Sequence, residues 1–311
     1  MAPGNVAIAD LDMYHGQVST HLDIYARSST AALAREEHFD AADEIFREAG
    51  RPHSSGLVVF GGPYRPDDAT DITPEQLIRL LEGMRGIYGT VVVDAGNTLD
   101  TRALAVLERA DVVVLVLTPD IPSLRLIHAS LQVLSESGTA TDRAVFVVNH
   151  IYPKAMIGGE QIEEHLGIKV GVQIPYDGES FLKSVNEGQP LVTFAHRSAA
   201  GVALRKLCRR AHQHRSRQDR YRAASAARTL QGSARPRLTC PGHAGLSVQR
   251  LEPEDVAPAQ GCLLILAIAV DVDAHGQSTV PVLADVAEAV GVANLVGHQR
   301  FHHQLVLTAG Q

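Results

Sequence analysis

Five apolar runs in this sequence stop at residues able to hold a metal, orient water or read a polar ligand edge. Val6-Ala7-Ile8-Ala9 runs into Asp10-Leu11-Asp12, and Thr90–Val93 runs into Asp94, followed by Ala95-Gly96-Asn97. Val112–Leu117 gives way to Thr118-Pro119-Asp120, Ala144–Val148 to Asn149-His150, and Lys169–Ile174 to Pro175-Tyr176-Asp177. An aspartate closing a run of valines is the pattern of a strand-end carboxylate that holds Mg²⁺ through water beside a nucleotide. The same pattern also describes an aspartate that caps its own turn. Asp10 and Asp12 read either as two solvated loop acids or as a pair that positions a water and a metal. Asn149 can likewise cap the turn it begins. Each residue alone is weak evidence; their order along the chain is the stronger signal.

Elements that could bring these residues together follow from the hydrophobic pattern. Continuous Val/Ile/Leu runs without polar alternation indicate strands buried on both faces, as in a parallel sheet covered by helices. Strands are expected over Val6–Ala9, Gly56–Gly61, Thr90–Asp94, Val112–Leu117, Ala144–Asn149 and Lys169–Ile174. Helical periodicity falls between them: Thr73 is the N-cap and Pro74 the first residue of one helix, with Leu77, Leu80, Leu81 and Met84 on its apolar face. Asp100–Ala110, Ser123–Ser135, Gly159–Leu166 and Gly178–Glu187 complete the series. The alternation predicts an α/β fold with a doubly wound, mostly parallel sheet flanked by helices. Such folds bind ligands at the carboxyl ends of their strands, where all the residues above are expected.

Bulk properties narrow the class. With 311 residues, 45% apolar, 20% charged and a formal charge of −7, the chain has an ordinary globular composition and no strong bias toward nucleic acid. Cys208, Cys240 and Cys262 are too far apart for a CxxC motif, and an odd count suits a reducing compartment. No basic segment followed by an apolar core opens the chain, and its longest apolar run, 262–270, is under half the ~20 residues of a membrane-spanning helix. The expectation is a cytoplasmic protein.

Past residue 207 the character changes. Arg205–Arg222 is densely basic, and Ala223–Pro258 is rich in Ala, Arg, Ser, Pro and Gly without periodicity. Such a stretch has little to bury and is expected to lack fixed structure. Two domains are therefore drawn, 1–212 as the α/β unit and 213–311 as a largely disordered extension. The basic run reads as a nucleic-acid or anionic-membrane contact, or as a solvated helix end, the second favoured because no apolar face is visible past Leu207. His298, His302 and His303 have metal-like spacing, but no carboxylate or cysteine joins them nearby.

In sequence the motifs become more specific. VAIADLDMYHGQVSTHLDI resembles the segment that follows the phosphate-binding loop in MinD/ParA-type P-loop ATPases. YGTVVVDAGNTLDTRALAVLERADVVVLVLTPDIPSLR is similar to their Walker B strand, switch II and next strand, and AVFVVNH with IEEHLGIKVGVQIPYDGESFLKSVNEGQPLV to their adenine side. SSGLVVFGGPYRPDDA, the T-P-D-I-P-S-L-R turn and N-E-G-Q-P-L resemble the CpaE/TadZ branch of Flp/Tad pilus assembly. The resemblance covers roughly residues 5–207. It implies ATP and Mg²⁺ as cofactors, with Asp10 as the switch I acid that orients water and Asp12 beside it. It further implies Asp94 as the Walker B acid that holds Mg²⁺ through water, Gly96 in switch II, Asn149 at the adenine edge, and Pro175 and Asp177 in the loop lining the base.

One departure is large. The 311 residues contain no G-K-[S/T], so the family's glycine-rich phosphate loop has no counterpart here, and neither does the strand before it. In the family that strand lies between those matching 90–94 and 112–117. An empty slot would expose two apolar edges, so either the protein is longer at its amino end or another segment fills the slot. Residues 262–270 are the one unassigned run apolar enough to do so. The functions the resemblance implies are an ATP-driven recruitment switch that works as a homodimer with pilus-assembly secretion components, at the cytoplasmic membrane surface or cell pole; a non-enzymatic docking module of the same fold; or a partitioning or septum-positioning ATPase. Nucleic acid is not an expected partner.

Overall fold

The computed structural model describes residues 6–36, 42–137, 143–213 and 263–270. The expectations for 214–258 and 278–296 and for the three carboxyl-terminal histidines lie outside these residues.

Strands β1 (Val6–Asp10), β3 (Val58–Phe60), β4 (Thr90–Asp94), β5 (Val112–Leu117), β6 (Ala144–Asn149) and β7 (Val170–Ile174) form where the apolar runs predict them, with the second run contracted to its central residues. A short β2 (Arg51–Pro52) and β8 (Leu263–Val270) complete an eight-stranded sheet in the order β2-β3-β1-β4-β8-β5-β6-β7. The pairs β3-β1, β1-β4, β5-β6 and β6-β7 are parallel, so the acid and amide ends of these strands share one rim.

β8 occupies the slot between β4 and β5, antiparallel to both. Leu266 is the partner of Asp94 on one side and Val114 on the other, and Thr90 and Leu117 mark the ends of the two ladders, opposite Val270 and Leu263. The two apolar edges are thus paired by the chain's own late segment. Its polarity has a consequence: β8 starts, instead of ending, at the rim where the other strands deliver their polar residues.

Alternation along each strand divides the core between two faces. Ala7, Ala9, Val91, Val93, Val113, Leu115 and Leu117 point to a face covered by α4 (Pro74–Arg85), α5 (Thr101–Arg109) and α6 (Ile121–Glu136). On the opposite face Val112, Val114 and Val116 meet α8 (Gly178–Glu187) and the helix over residues 199–213. Val6, Ile8 and Val92 form a separate cluster there with Val18 and Leu22. Helix α4 starts as predicted: Thr73 and Gln76 make a reciprocal capping box, with Pro74 at the first position.

The helix over residues 199–213 corrects the expectation that no apolar face survives past Leu207. Leu204, Leu207, Cys208 and Ala211 are all buried against the sheet. The basic residues among them obscured a stripe made partly of small side chains. Short helices α1 (Val18–His21), α2 (Thr30–Ala34), α3 (Ala42–Ala49), α7 (Gly159–Leu166) and α9 (Leu191–Phe194) fill the remaining connections. No helix among the described residues is long and apolar enough to cross a membrane.

Candidate functional site at the strand-end rim

Asp10 and Asp94 are register partners at the carboxyl ends of β1 and β4, and both are fully buried. The Asp10 carboxylate accepts the Asp12 amide at 3.1 Å and the Val18 amide at 3.0 Å. Its surroundings require glycine: a Cβ on Gly16 would stand 2.6 Å from Asp10 Oδ2, and one on Gly62 3.0 Å from Asp10 Cγ. The Thr30 hydroxyl donates to the Asp10 carbonyl at 2.7 Å, which fixes the strand end itself. Gly16, Gly62 and Thr30 were not singled out from sequence as parts of this site. Of these, Gly62, just past the end of β3, carried the available signal.

Asp12 is buried and its Oδ1 accepts the Tyr14 and His15 amides, each at 3.0 Å, which folds the loop after β1 back on itself. Asp94 Oδ1 accepts the Gly96 amide at 2.8 Å. The turn-capping role weighed for Asp94 is therefore real. Gly96 has φ +76°, and a Cβ there would lie 2.8 Å from Asp12 Cγ, so a side chain is excluded by both conformation and space. Asp10, Asp12, Asp94 and Gly96 form one contiguous group. A cavity of about 20 Å³ beside them, lined by Asp12, Tyr14, Thr98, Asp100 and Arg102 among others, has room for one water.

A second group sits further along the rim. Asn149 is the register partner of Ile174, is buried, and its side-chain oxygen accepts no hydrogen bond among the described residues. It does not cap its turn. A buried amide oxygen without a donor is costly unless a ligand or water supplies one. Pro175 is half-buried next to it. Asp177 caps α8 by accepting the Ser180 amide at 3.3 Å, so its carboxylate already has a local structural job. Asp120 does the same for α6 through the Ser123 amide at 2.9 Å and also bonds the Thr118 hydroxyl. Partial burial first, and then the charge of Asp120, push the Tyr152 hydroxyl above the usual tyrosine range. Between Asp94 on β4 and Asn149 on β6 lie β8 and β5, a span of roughly 14 Å at ordinary strand spacing.

Direct metal chelation finds no support in the donor set. Among the described residues no group of three or more His, Cys, Asp or Glu side chains could hold an ion.

No family model matches the chain. In sequence it is 24% identical over 148 residues to the septum site-determining protein MinD of Bacillus subtilis, covering 46% of this chain and 54% of that one. A MinD-type protein of Emiliania huxleyi is 25% identical over 144 residues, or 45% and 52% of the two chains. Among solved structures, a ParA family ATPase from Chlorobium tepidum superposes with a TM-score of 0.59 at 22% identity, over 65% of this chain and 85% of that one. MinD from Pyrococcus horikoshii, complexed with Mg-ADP, gives 0.54 at 19% identity, over 65% and 80%. The chain is similar in sequence and in fold to MinD/ParA-type P-loop ATPases. It spans about half the length of the curated MinD relatives it matches. The MinD/ParA-type fold accounts for the parallel strand ends gathered on one rim.

Proposed function

We propose that this chain carries the acid side and the base-edge side of a MinD/ParA-type nucleotide switch, in the CpaE-like pilus-assembly branch. The observation that carries the proposal is the pairing of Asp10 with Asp94 at one rim, with the donor-seeking Asn149 roughly 14 Å along it. That span is comparable to a nucleoside triphosphate lying across the rim. In this reading Asp94 would hold Mg²⁺ through water, Asp10 and Asp12 would orient water, Gly96 would let a backbone amide approach a phosphate, and Asn149 with Pro175 and Asp177 would border the base. Bound Mg²⁺ would supply neutralisation of phosphate charge.

Phosphate binding is where the fit fails. The described residues offer no glycine-rich loop, and the sequence offers no G-K-[S/T]. β8 enters its slot antiparallel, so the strand in that position leads away from the rim and no phosphate loop follows it there. The chain by itself therefore binds ATP weakly. This same feature favours a second reading, a docking module that keeps the fold without nucleotide. The pilus-assembly branch is supported by T-P-D-I-P-S-L-R and N-E-G-Q-P-L, and its implied partners are a second copy and pilus-assembly secretion components at the cytoplasmic membrane surface.

Titration of the full chain with a fluorescent ATP analogue and Mg²⁺ tests this. Weak binding that Asn149→Ala weakens further supports the nucleotide reading. Complete indifference to nucleotide favours the docking module. Micromolar binding abolished by Asp94→Ala would contradict the missing phosphate cradle.

A further inference from the structure

Arg102 lies in the first turn of α5 with its side chain only 12% exposed, and its guanidinium meets three separate segments. Nε and Nη2 grip Asp100 Oδ2 at 3.0 and 2.9 Å. Nη1 donates to the Ala69 carbonyl at 3.0 Å, and the guanidinium carbon stands 4.8 Å from the centre of the Tyr14 ring. Asp100 is committed on its other side, where Oδ1 accepts the Arg102 and Ala103 amides and caps α5. Tyr14 is committed too, its backbone amide donating a hydrogen bond to Asp12 Oδ1. Gly96 lies so close to Asp12 that a Cβ on it would stand 2.8 Å from Asp12 Cγ. A planar cation with a donor fork and a stackable face suits this arrangement, and lysine would supply the charge alone.

We propose that Arg102 is a positioning residue that fastens the loop after β1 to the loop after β4, and so sets Asp12 against the Asp94–Gly96 turn. It acts through Tyr14 and Asp100. Its functional meaning rests on the nucleotide reading of this rim, but the fastening exists without nucleotide and is measured without it.

Amide hydrogen exchange of the full chain, followed by mass spectrometry, reads the fastening directly. Arg102→Gln is expected to speed exchange about tenfold in residues 11–16 and 95–100 together, while the β1 and β4 cores stay unchanged. Arg102→Lys should restore part of the protection, since it keeps the cation over Tyr14 but not the fork. Asp100→Asn keeps an effective N-cap and should loosen the same two loops, which covers the case in which the arginine variant fails to fold. Faster exchange confined to 95–100 would mean that Arg102 serves only its own helix and would overturn the proposal. A uniform rise across the chain in both variants would overturn it as well. Coupled loosening in a chain indifferent to ATP supports the fastening and counts against the nucleotide reading alone.

Discussion

Asp10 and Asp94 face each other across β1 and β4, and the pairing runs one residue further, with the Leu11 amide donating to the Asp94 carbonyl at 2.8 Å. Two buried carboxylates side by side are costly unless their oxygens are supplied with donors. Backbone amides supply both Asp10 oxygens, from Asp12 and Val18, and Asp94 Oδ1, from Gly96. The acids thereby organise the loops that follow them, and the loops hold the acids in place.

Close packing around Asp10 makes Gly16 intolerant of a side chain. The added methyl of Gly16→Ala would stand 2.6 Å from Asp10 Oδ2. The variant should lose about 1–3 kcal/mol of stability in urea unfolding. An unchanged midpoint would mean that the loop after β1 yields freely, against the packing described.

β8 is expected to hold the two halves of the sheet together. Leu266→Pro places a residue without an amide hydrogen between β4 and β5, where it pairs with Asp94 and Val114. Stability should fall by about 3 kcal/mol or more, with visible aggregation as the β4 and β5 edges open. Wild-type behaviour would show that residues 263–270 do not complete the sheet.

Most of the sheet was legible because buried parallel strands leave continuous apolar runs, as at Val112–Leu117, and because polar residues punctuate their ends. The Thr73 and Pro74 start signals located α4 for the same local reason. Candidacy of 262–270 for the central slot also followed from its apolar content. Its direction did not, since a continuous apolar run carries no sequence mark of polarity. Helices α1 and α2, of four and five residues, are too short for periodicity to show. In the site, strand ends identified Asp10, Asp94 and Asn149, whereas Arg102, Thr30 and Gly62 depend on contacts between segments distant in sequence, which no local pattern encodes.

Arg35 and Asp71 give a pH signature at the surface. Their bidentate pair, with a shortest contact of 2.6 Å, and the hydrogen bond from Arg35 foremost, hold the Asp71 carboxyl below the usual aspartate range. A depressed folded-state pKa contributes stability above the unfolded pKa, and this is lost as pH falls through the folded value. The stability difference between the parent and Asp71→Asn should therefore be small, present near neutral pH, and vanish between about pH 4 and lower values. Urea midpoints across that range check it; a difference that grows on acidification would reverse the sign and refute the pairing.

The central claim, that this rim is built to face a nucleotide and lacks only a phosphate cradle, has a direct measurement. Fuse a strand, a K-G-G-x-G-K-T loop and a helix from a MinD/ParA-type relative ahead of Val6 in a chain ending at residue 213, so that the added strand takes the slot β8 fills, and determine Mg²⁺-ATP affinity by calorimetry in the fused protein and its Asp94→Ala and Asn149→Ala variants. The account predicts clear ATP binding in the fused protein, about tenfold weaker in each variant as metal-ordering or base-edge contacts are lost, with Asn149→Ala also blunting the preference for ATP over GTP. A fused protein that folds and binds ATP equally well with or without Asp94 and Asn149 would contradict it.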